Sequence, residues 1–132
     1  MAAYGAAHYE ADTPAGRIVL RIGEPSAALA RLYGITGTRR AAYLTACNPA
    51  SIRQPPARNR AAHAALLASL RPLGYPIFEG FGRDPQRRWP AERSVLVLGI
   101  APEAACALGQ AHGQAAIVTA ALDAVPQLTW LI

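Results

Sequence analysis

The amino-acid sequence predicts an α+β fold with two layers, in which three helices pack mainly on one face of a mixed β-sheet. The first observation is the dense aliphatic run Val95–Leu98, closed by Gly99 and Pro102. A run so short and uniformly apolar is typical of a strand covered on both faces at the centre of a sheet. The second observation is that strand and helix patterns are interleaved along the chain. The third is the alternation in Arg17–Ile22, which indicates one buried and one solvated face.

The chain opens with a predicted β-hairpin. Tyr4–Glu10 is a strand candidate, and a turn rich in Pro and Gly separates it from the alternating strand Arg17–Ile22. A short helix follows, because Pro25 is tolerated as a first helical residue and Gly34 is a natural stop.

The middle of the chain contains the helix with the clearest pattern. Ala41–Cys47 is the third predicted strand, and Ala57–Leu70 is an amphipathic helix with one apolar stripe. Tyr75–Phe78 is predicted as a brief edge strand. Glu79–Ala91, which contains two glycines and two prolines, is predicted as a long loop, and loops of that length are often functional.

The last third supplies the central strand, a helix over Pro102–His112 and the strands Ala115–Ala120 and Gln127–Ile132. The central strand, this helix and Ala115–Ala120 form a predicted β-α-β unit, whose two strands run parallel with a right-handed crossover. The strand that contains Tyr43 is predicted to run antiparallel to the central one, because the short Tyr75–Phe78 segment turns the chain between them.

Composition predicts one domain over residues 1–132. The formal net charge is +5. Every Lys or Arg position is Arg, and these arginines are scattered along the chain instead of clustered. A small anionic ligand fits that charge, although no partner is specified. Two widely spaced cysteines indicate a reducing cytoplasmic location, and no apolar run reaches the ~18 residues of a membrane span.

Candidate ligand-binding residues come from strand ends and loops: Asn48, Asn59, Arg83, Trp89, Glu92 and Gln114. Asn48 follows the third strand, and Asn59 lies on the inward stripe of the next helix. Glu92 and Gln114 enter their strands at the amino ends, so both are expected at one end of the sheet. Asn48 and Asn59 join them if the third strand is antiparallel to the central one.

Each candidate also has a purely structural interpretation. Asn48 precedes Pro49 and is suited to a turn. Glu92 stands at the mouth of a buried strand, where an ion pair with an Arg or several backbone amides would satisfy it. Arg83 is either an anion ligand or an ion-pair partner, since the glycine spacing around it matches neither a Walker loop nor a dinucleotide fingerprint.

No cofactor or metal site is predicted. The three histidines have no ligand spacing with each other or with the cysteines, and no catalytic set is recognised. Binding of nucleic acid stays an open alternative, through the solvated strand face that carries Arg17 and Arg21, with aromatic residues nearby to stack on bases.

Taken together, five motifs resemble an uncharacterised bacterial family catalogued as a domain of unknown function (DUF3293-like). The resemblance runs from about Arg17 to Val118. Its motifs are Thr45-Ala-Cys-Asn-Pro49, Asn59 with Leu66, Trp89-Pro-Ala-Glu92 with Ser94, Leu96-Val-Leu-Gly99 and Gly113-Gln-Ala-Ala-Ile117. The family pattern has an Asn where Ala115 stands and often an aromatic residue at Cys47. The resemblance implies no substrate and no catalytic residue.

Three functions therefore remain as hypotheses. The leading one is a small cytoplasmic binding or regulatory domain with a polar pocket near Asn48, Asn59 and Glu92. The alternative is an enzyme acting on a small anionic or amide-bearing substrate with Glu92 as acid or base, which a raised pKa of Glu92 would favour. The third is nucleic-acid binding by the open sheet face.

Overall fold

A computed structural model describes residues 2–132, with side chains from Tyr4 onward. The elements in chain order are α1 (Ala2–Ala6), β1 (His8–Thr13), β2 (Gly16–Leu20), α2 (Ala27–Thr36), β3 (Ala41–Thr45), α3 (Pro56–Leu70), β4 (Ile77–Arg83), β5 (Glu92–Leu98), α4 (Pro102–Ala111), β6 (Ala116–Ala120) and β7 (Gln127–Trp130). The α+β class is confirmed. The first helix was not predicted, and it replaces the start of the first predicted strand.

The sheet is antiparallel throughout, so the predicted mixed sheet is wrong. Its strands lie in the order β2-β1-β4-β5-β3-β6-β7, and each hydrogen-bonded pair is antiparallel. The strands β5 and β6 do point the same way, as the predicted β-α-β unit requires, but β3 is inserted between them. The predicted antiparallel direction of β3 against β5 is confirmed.

The central position of the aliphatic strand is confirmed. β5 is the fourth of seven strands, and Val95, Leu96, Val97 and Leu98 are all fully buried. Alternate residues of β5 contribute to different sides of the sheet, which is why the whole run is apolar.

Helices cover both faces of the sheet, so the predicted two-layer arrangement is not confirmed. Tyr43 and Leu96 belong to one hydrophobic cluster with the buried side chains of α2. Leu44 and Val95 belong to a second cluster with those of α3 and α4. Because neighbouring residues of a strand point to opposite faces, the two clusters lie on opposite sides of the sheet.

The face that carries α2 is concave, because the sheet curls across it. The rings of Tyr9 on β1 and Tyr43 on β3 lie edge to face with centroids 5.3 Å apart, although β4 and β5 separate the two strands in the sheet. The Tyr43 hydroxyl also donates a hydrogen bond of 2.7 Å to the carbonyl oxygen of Glu10. These contacts bring β1 over the inside of the curl.

The curl explains a wrong prediction in the middle of the chain. Tyr75–Phe78 was expected to be an edge strand and Glu79–Ala91 a loop, but β4 runs from Ile77 to Arg83 and lies between β1 and β5. A Cβ at Gly80 would overlap the backbone of β1, so this position needs glycine for packing and not for a turn.

Across residues 2–132, no helix has the length and apolar character that would let it cross a membrane.

Candidate functional site

One end of the concave face opens into a cavity of about 220 Å³. Its walls combine the aromatic side chains of Tyr4, Tyr9, Tyr43 and Trp89 with polar side chains at the strand ends. The polar lining residues include Thr45, Asn48, Glu92, Ser94 and Gln114. A concave, mostly apolar space with a few polar groups is the usual form of a small-molecule site.

The two-residue period of the strands places the polar side chains in this cavity. Ser94 and Glu92 continue on β5 the concave-facing positions of Leu96. Thr45 pairs with Ser94 in the ladder between β3 and β5, so the ends of both strands deliver polar groups to one place.

Asn48 is the centre of a hydrogen-bond network at the cavity mouth. Its side-chain oxygen accepts from the backbone N–H of Gln54 and from Asn59 Nδ2, each at 3.0 Å. The backbone N–H of Asn48 donates to Asn59 Oδ1 at 2.9 Å. Asn48 has a φ of 47°, a left-handed conformation that Asn adopts more readily than most residues. The turn interpretation is thus correct for its backbone, while its amide group remains directed at Glu92.

Glu92 is held by Asn48 and not by a cation. Asn48 Nδ2 donates to Glu92 Oε2 at 2.5 Å. Among the residues that the structure describes, no basic nitrogen lies within 4.0 Å of the Glu92 carboxylate, so the predicted ion pair is absent. Burial raises the pKa of Glu92, and the hydrogen bond from Asn48 only partly opposes that rise.

Burial also raises the pKa values of two titratable neighbours of Glu92, Tyr9 and Cys47. Burial, with smaller contributions from Tyr4 and Glu92, raises the pKa of Tyr9. Burial likewise raises the pKa of the Cys47 thiol, and the Glu92 charge adds to the rise. A thiol with a raised pKa is a poor nucleophile.

Gln114 and Asn59 take different places around this centre. Gln114 is buried, lines the cavity, and donates from Nε2 to the carbonyl oxygens of Cys47 and His112 at 3.2 and 3.3 Å. Asn59 lies outside the cavity and fixes Asn48 from the first turn of α3. The predicted convergence of Asn48, Asn59, Glu92 and Gln114 at one end of the sheet is therefore confirmed as geometry. Their role in binding stays a prediction.

Trp89 lines the cavity, whereas Arg83 does not. The loop that carries Trp89 is fixed by the buried carboxylate of Asp84, which accepts from the backbone N–H of Gln86 and Arg88 at 3.0 and 2.7 Å. Arg83 Nε lies 2.9 Å from Glu10 Oε1, so Arg83 is an ion-pair partner, which is one of the two interpretations of this residue from the sequence.

The cavity residues that the sequence prediction missed include Tyr4, Tyr9, Tyr43 and Arg53. Tyr9 and Tyr43 read as ordinary strand residues, because only the curl brings β1 and β3 together. The inward alternation of Tyr43 with Ala41 was the one available signal, and it indicates burial without indicating a cavity.

Two further expectations from the sequence concern metal ions and nucleic acid. Among the described residues, no three His, Cys, Asp or Glu side chains are grouped as a metal site would require. On the strand face considered for nucleic acid, Arg17 pairs with Asp12 at 2.9 Å and Arg21 with Glu24 at 3.4 Å. Both arginines therefore have acidic neighbours that reduce their attraction for phosphate.

The family model described as "Protein of unknown function (DUF3293)" matches residues 44–117. That range contains the whole Asn48, Asn59, Glu92 and Gln114 cluster, but it leaves out β1 with Tyr9. No curated protein and no solved structure matches the chain. The match confirms the resemblance that the five motifs indicated. Because it covers more than half of the 132 residues, the chain belongs to the DUF3293 family of proteins of unknown function.

Proposed function

We propose that this chain is a small-molecule-binding domain whose ligand occupies the concave cavity and is anchored by Glu92. Support comes from the combination of aromatic walls with a few oriented polar groups at one end. The two cysteines, both free, support the cytoplasmic location expected from the sequence.

The state of Glu92 is the observation that carries this proposal. A half-buried carboxylate without a cationic partner lowers the stability of a fold, because burial removes much of its hydration. Asn48 nevertheless holds the group in one orientation, and three further hydrogen bonds hold Asn48 in turn. A costly group kept in such a defined place is typical of a functional site.

The chemistry of the cavity restricts the ligand. The hydroxyls of Tyr9 and Tyr43 are already engaged with the carbonyl oxygens of Tyr4 and Glu10, both at 2.7 Å. The aromatic walls therefore offer mainly ring faces and edges, which suit a flat or apolar body. Glu92 accepts a hydrogen bond when ionised and donates one when protonated, so it suits an amine, an amide or an acid group.

Acid–base catalysis by Glu92 is the second candidate function, and the raised pKa of Glu92 favours it. Many acid–base reactions also use a second group that exchanges a proton near neutral pH. The titratable neighbours Tyr9, Tyr43 and Cys47 all have pKa values raised by burial, and so stay protonated. Binding is for this reason the better supported function.

Trp89 provides the test, because it lines the cavity, where we expect a bound ligand to change its fluorescence. Trp130→Phe leaves Trp89 as the single tryptophan. We expect a ring-bearing amine, amide or acid from a small-molecule panel to change this fluorescence saturably and to raise the Tm by mass action.

The matched variants are Glu92→Gln and Glu103→Gln, since Glu103 is exposed on α4 and does not line the cavity. Glu92→Gln should alter the affinity of the ligand by roughly tenfold or more, the scale of a charge-assisted hydrogen bond. Glu103→Gln should leave it unchanged. Equal affinities in all three proteins would contradict the proposal. Turnover of a bound ligand that Glu92→Gln abolishes without loss of binding would establish the catalytic alternative.

A further inference from the structure

A second cleft, of about 290 Å³, adjoins the first at Glu92. The two spaces share Cys47, Asn48, Arg53 and Glu92 in their linings. Arg93 lines the second cleft, and it points to the face that carries α3 because it is adjacent to Glu92 along β5. The Asn48–Glu92 pair therefore stands at the junction between an aromatic cavity and a second space on the far side of the strand end.

The second cleft is cationic. Arg53, Arg60 and Arg93 line it, and Glu92 is the one acidic residue in its lining. Among the described residues, none of these three arginines has a carboxylate oxygen within 4.0 Å. The side-chain amides of Gln54 and Asn59 add neutral hydrogen-bonding groups.

The gathering of three arginines around one space distinguishes the cleft, since arginines without a carboxylate oxygen within 4.0 Å, such as Arg31 and Arg58, also occur elsewhere among the described residues. Arg17, Arg21, Arg83 and Arg88 each pair with a carboxylate close by. In the second cleft three guanidinium groups face one carboxylate, so the space keeps an excess of positive charge even when Glu92 is ionised. Guanidinium groups bind phosphate and carboxylate with paired hydrogen bonds, which a single ammonium does not provide.

We infer that the ligand carries an anionic group, held in the second cleft by Arg53, Arg60 and Arg93, on an apolar or aromatic body that enters the concave cavity. This inference rests on the proposed function and adds the chemical class of the ligand. Arg53 lines both spaces and lies where the two parts of such a molecule join. Glu92 and Asn48 then contact the junction and select for a polar group there.

Phenol, inorganic phosphate and phenyl phosphate test the two parts separately and together. In the Trp130→Phe protein, phenol reports on the aromatic cavity through Trp89, and phosphate tests the cleft by competition. We expect phenyl phosphate to bind at least tenfold more tightly than phenol, and added inorganic phosphate to weaken it towards the affinity of phenol. Phenylacetate in place of phenyl phosphate shows whether a carboxylate serves equally.

The arginine variants decide which groups bind the anion. Arg60→Ala and Arg93→Ala should each weaken phenyl phosphate by on the order of tenfold. Neither should change the affinity for phenol, which also confirms that each variant is folded. Arg31→Ala is the matched control, because Arg31 is exposed on α2 and lines neither space.

Other outcomes would contradict either the anionic cleft alone or the cleft and the concave cavity together. If phenyl phosphate binds no more tightly than phenol, or if Arg31→Ala weakens it as much as Arg60→Ala does, the anionic cleft is wrong while the concave cavity stands. If neither aromatic probe affects Trp89, the proposed function fails and this inference fails with it.

Discussion

At the scale of single residues, Glu92 is the position where burial opposes the charge of a side chain. Burial disfavours its charged form, and Asn48 supplies one neutral hydrogen bond instead of a countercharge. The ion pair with an arginine that the sequence suggested for Glu92 is therefore absent among the described residues.

We predict that Glu92→Gln raises the stability of the protein at neutral pH. A carboxyl group whose pKa is raised on folding binds more protons in the native than in the unfolded state. The parent thus loses stability as pH rises from about 4.3, the usual value in an unfolded chain, up to the raised native pKa. The neutral Gln does not lose it, and its oxygen still accepts from Asn48.

Denaturant unfolding of both proteins between acidic and neutral pH measures this difference. The variant should have the higher midpoint at pH 7, and the two midpoints should converge below the unfolded pKa. Glu103→Gln, at an exposed position, should show no such divergence. A parent that is more stable than Glu92→Gln at pH 7 would mean that the carboxylate has a favourable partner after all.

At the scale of elements, the approach of β1 to β4 determines the shape of the sheet. β1 pairs with β4 only at His8 with Arg83 and at Tyr9 with Gly82. Beyond that point its backbone passes directly over Gly80. The absence of a side chain at Gly80 is what lets β1 turn inward and bring Tyr9 to the cavity.

Gly80→Ala should consequently destabilise the protein by more than about 3 kcal/mol, since the new methyl group would collide with rigid backbone. Gly82→Ala is the matched control on the same strand, because its Cβ would meet nothing nearer than Ser94 Oγ at 3.7 Å. Thermal or denaturant unfolding of the two variants gives the comparison. Similar losses in both would show that the close approach of β1 is not what makes Gly80 sensitive to substitution.

At the scale of the whole molecule, the curl is closed from inside by side chains. Tyr43, at the centre of β3, reaches β1 through both its ring and its hydroxyl. Two strands that are not neighbours in the sheet thereby form one wall of the cavity. The stability of the hairpin β1–β2 should therefore depend on a residue far away in the chain.

Tyr43→Phe should cost about 0.5–1.5 kcal/mol, the net value of one hydrogen bond, and should speed amide hydrogen exchange in β1 and β2. Tyr75→Phe is the control, because the described residues provide no hydrogen-bond partner for the Tyr75 hydroxyl, and its stability should be unchanged. If exchange instead accelerates evenly over all strands in Tyr43→Phe, the hydroxyl supports the whole fold and not the hairpin in particular.

Much of the site was predictable because it depends on strand direction. Glu92 and Gln114 enter strands that follow one another through a helix, so they share an end of the sheet. Asn48 joins them once β3 runs antiparallel to β5, which the short Tyr75–Phe78 segment indicated. The partner of Glu92 was not predictable, because an amide and a guanidinium satisfy the same sequence pattern.

The sequence by itself determined the local properties: the α+β class, the central strand Val95–Leu98, the outward face of Arg17 and the end of the sheet where polar residues meet. These follow from periodicity and turn chemistry, which act over a few residues. The tertiary structure alone decided that β3 lies between β5 and β6, that Gly80 belongs to an inner strand, and that Tyr9 and Tyr43 enclose a cavity beside Glu92. Those features depend on contacts between segments distant in the chain, and the energies of such contacts are not encoded in any single stretch of residues.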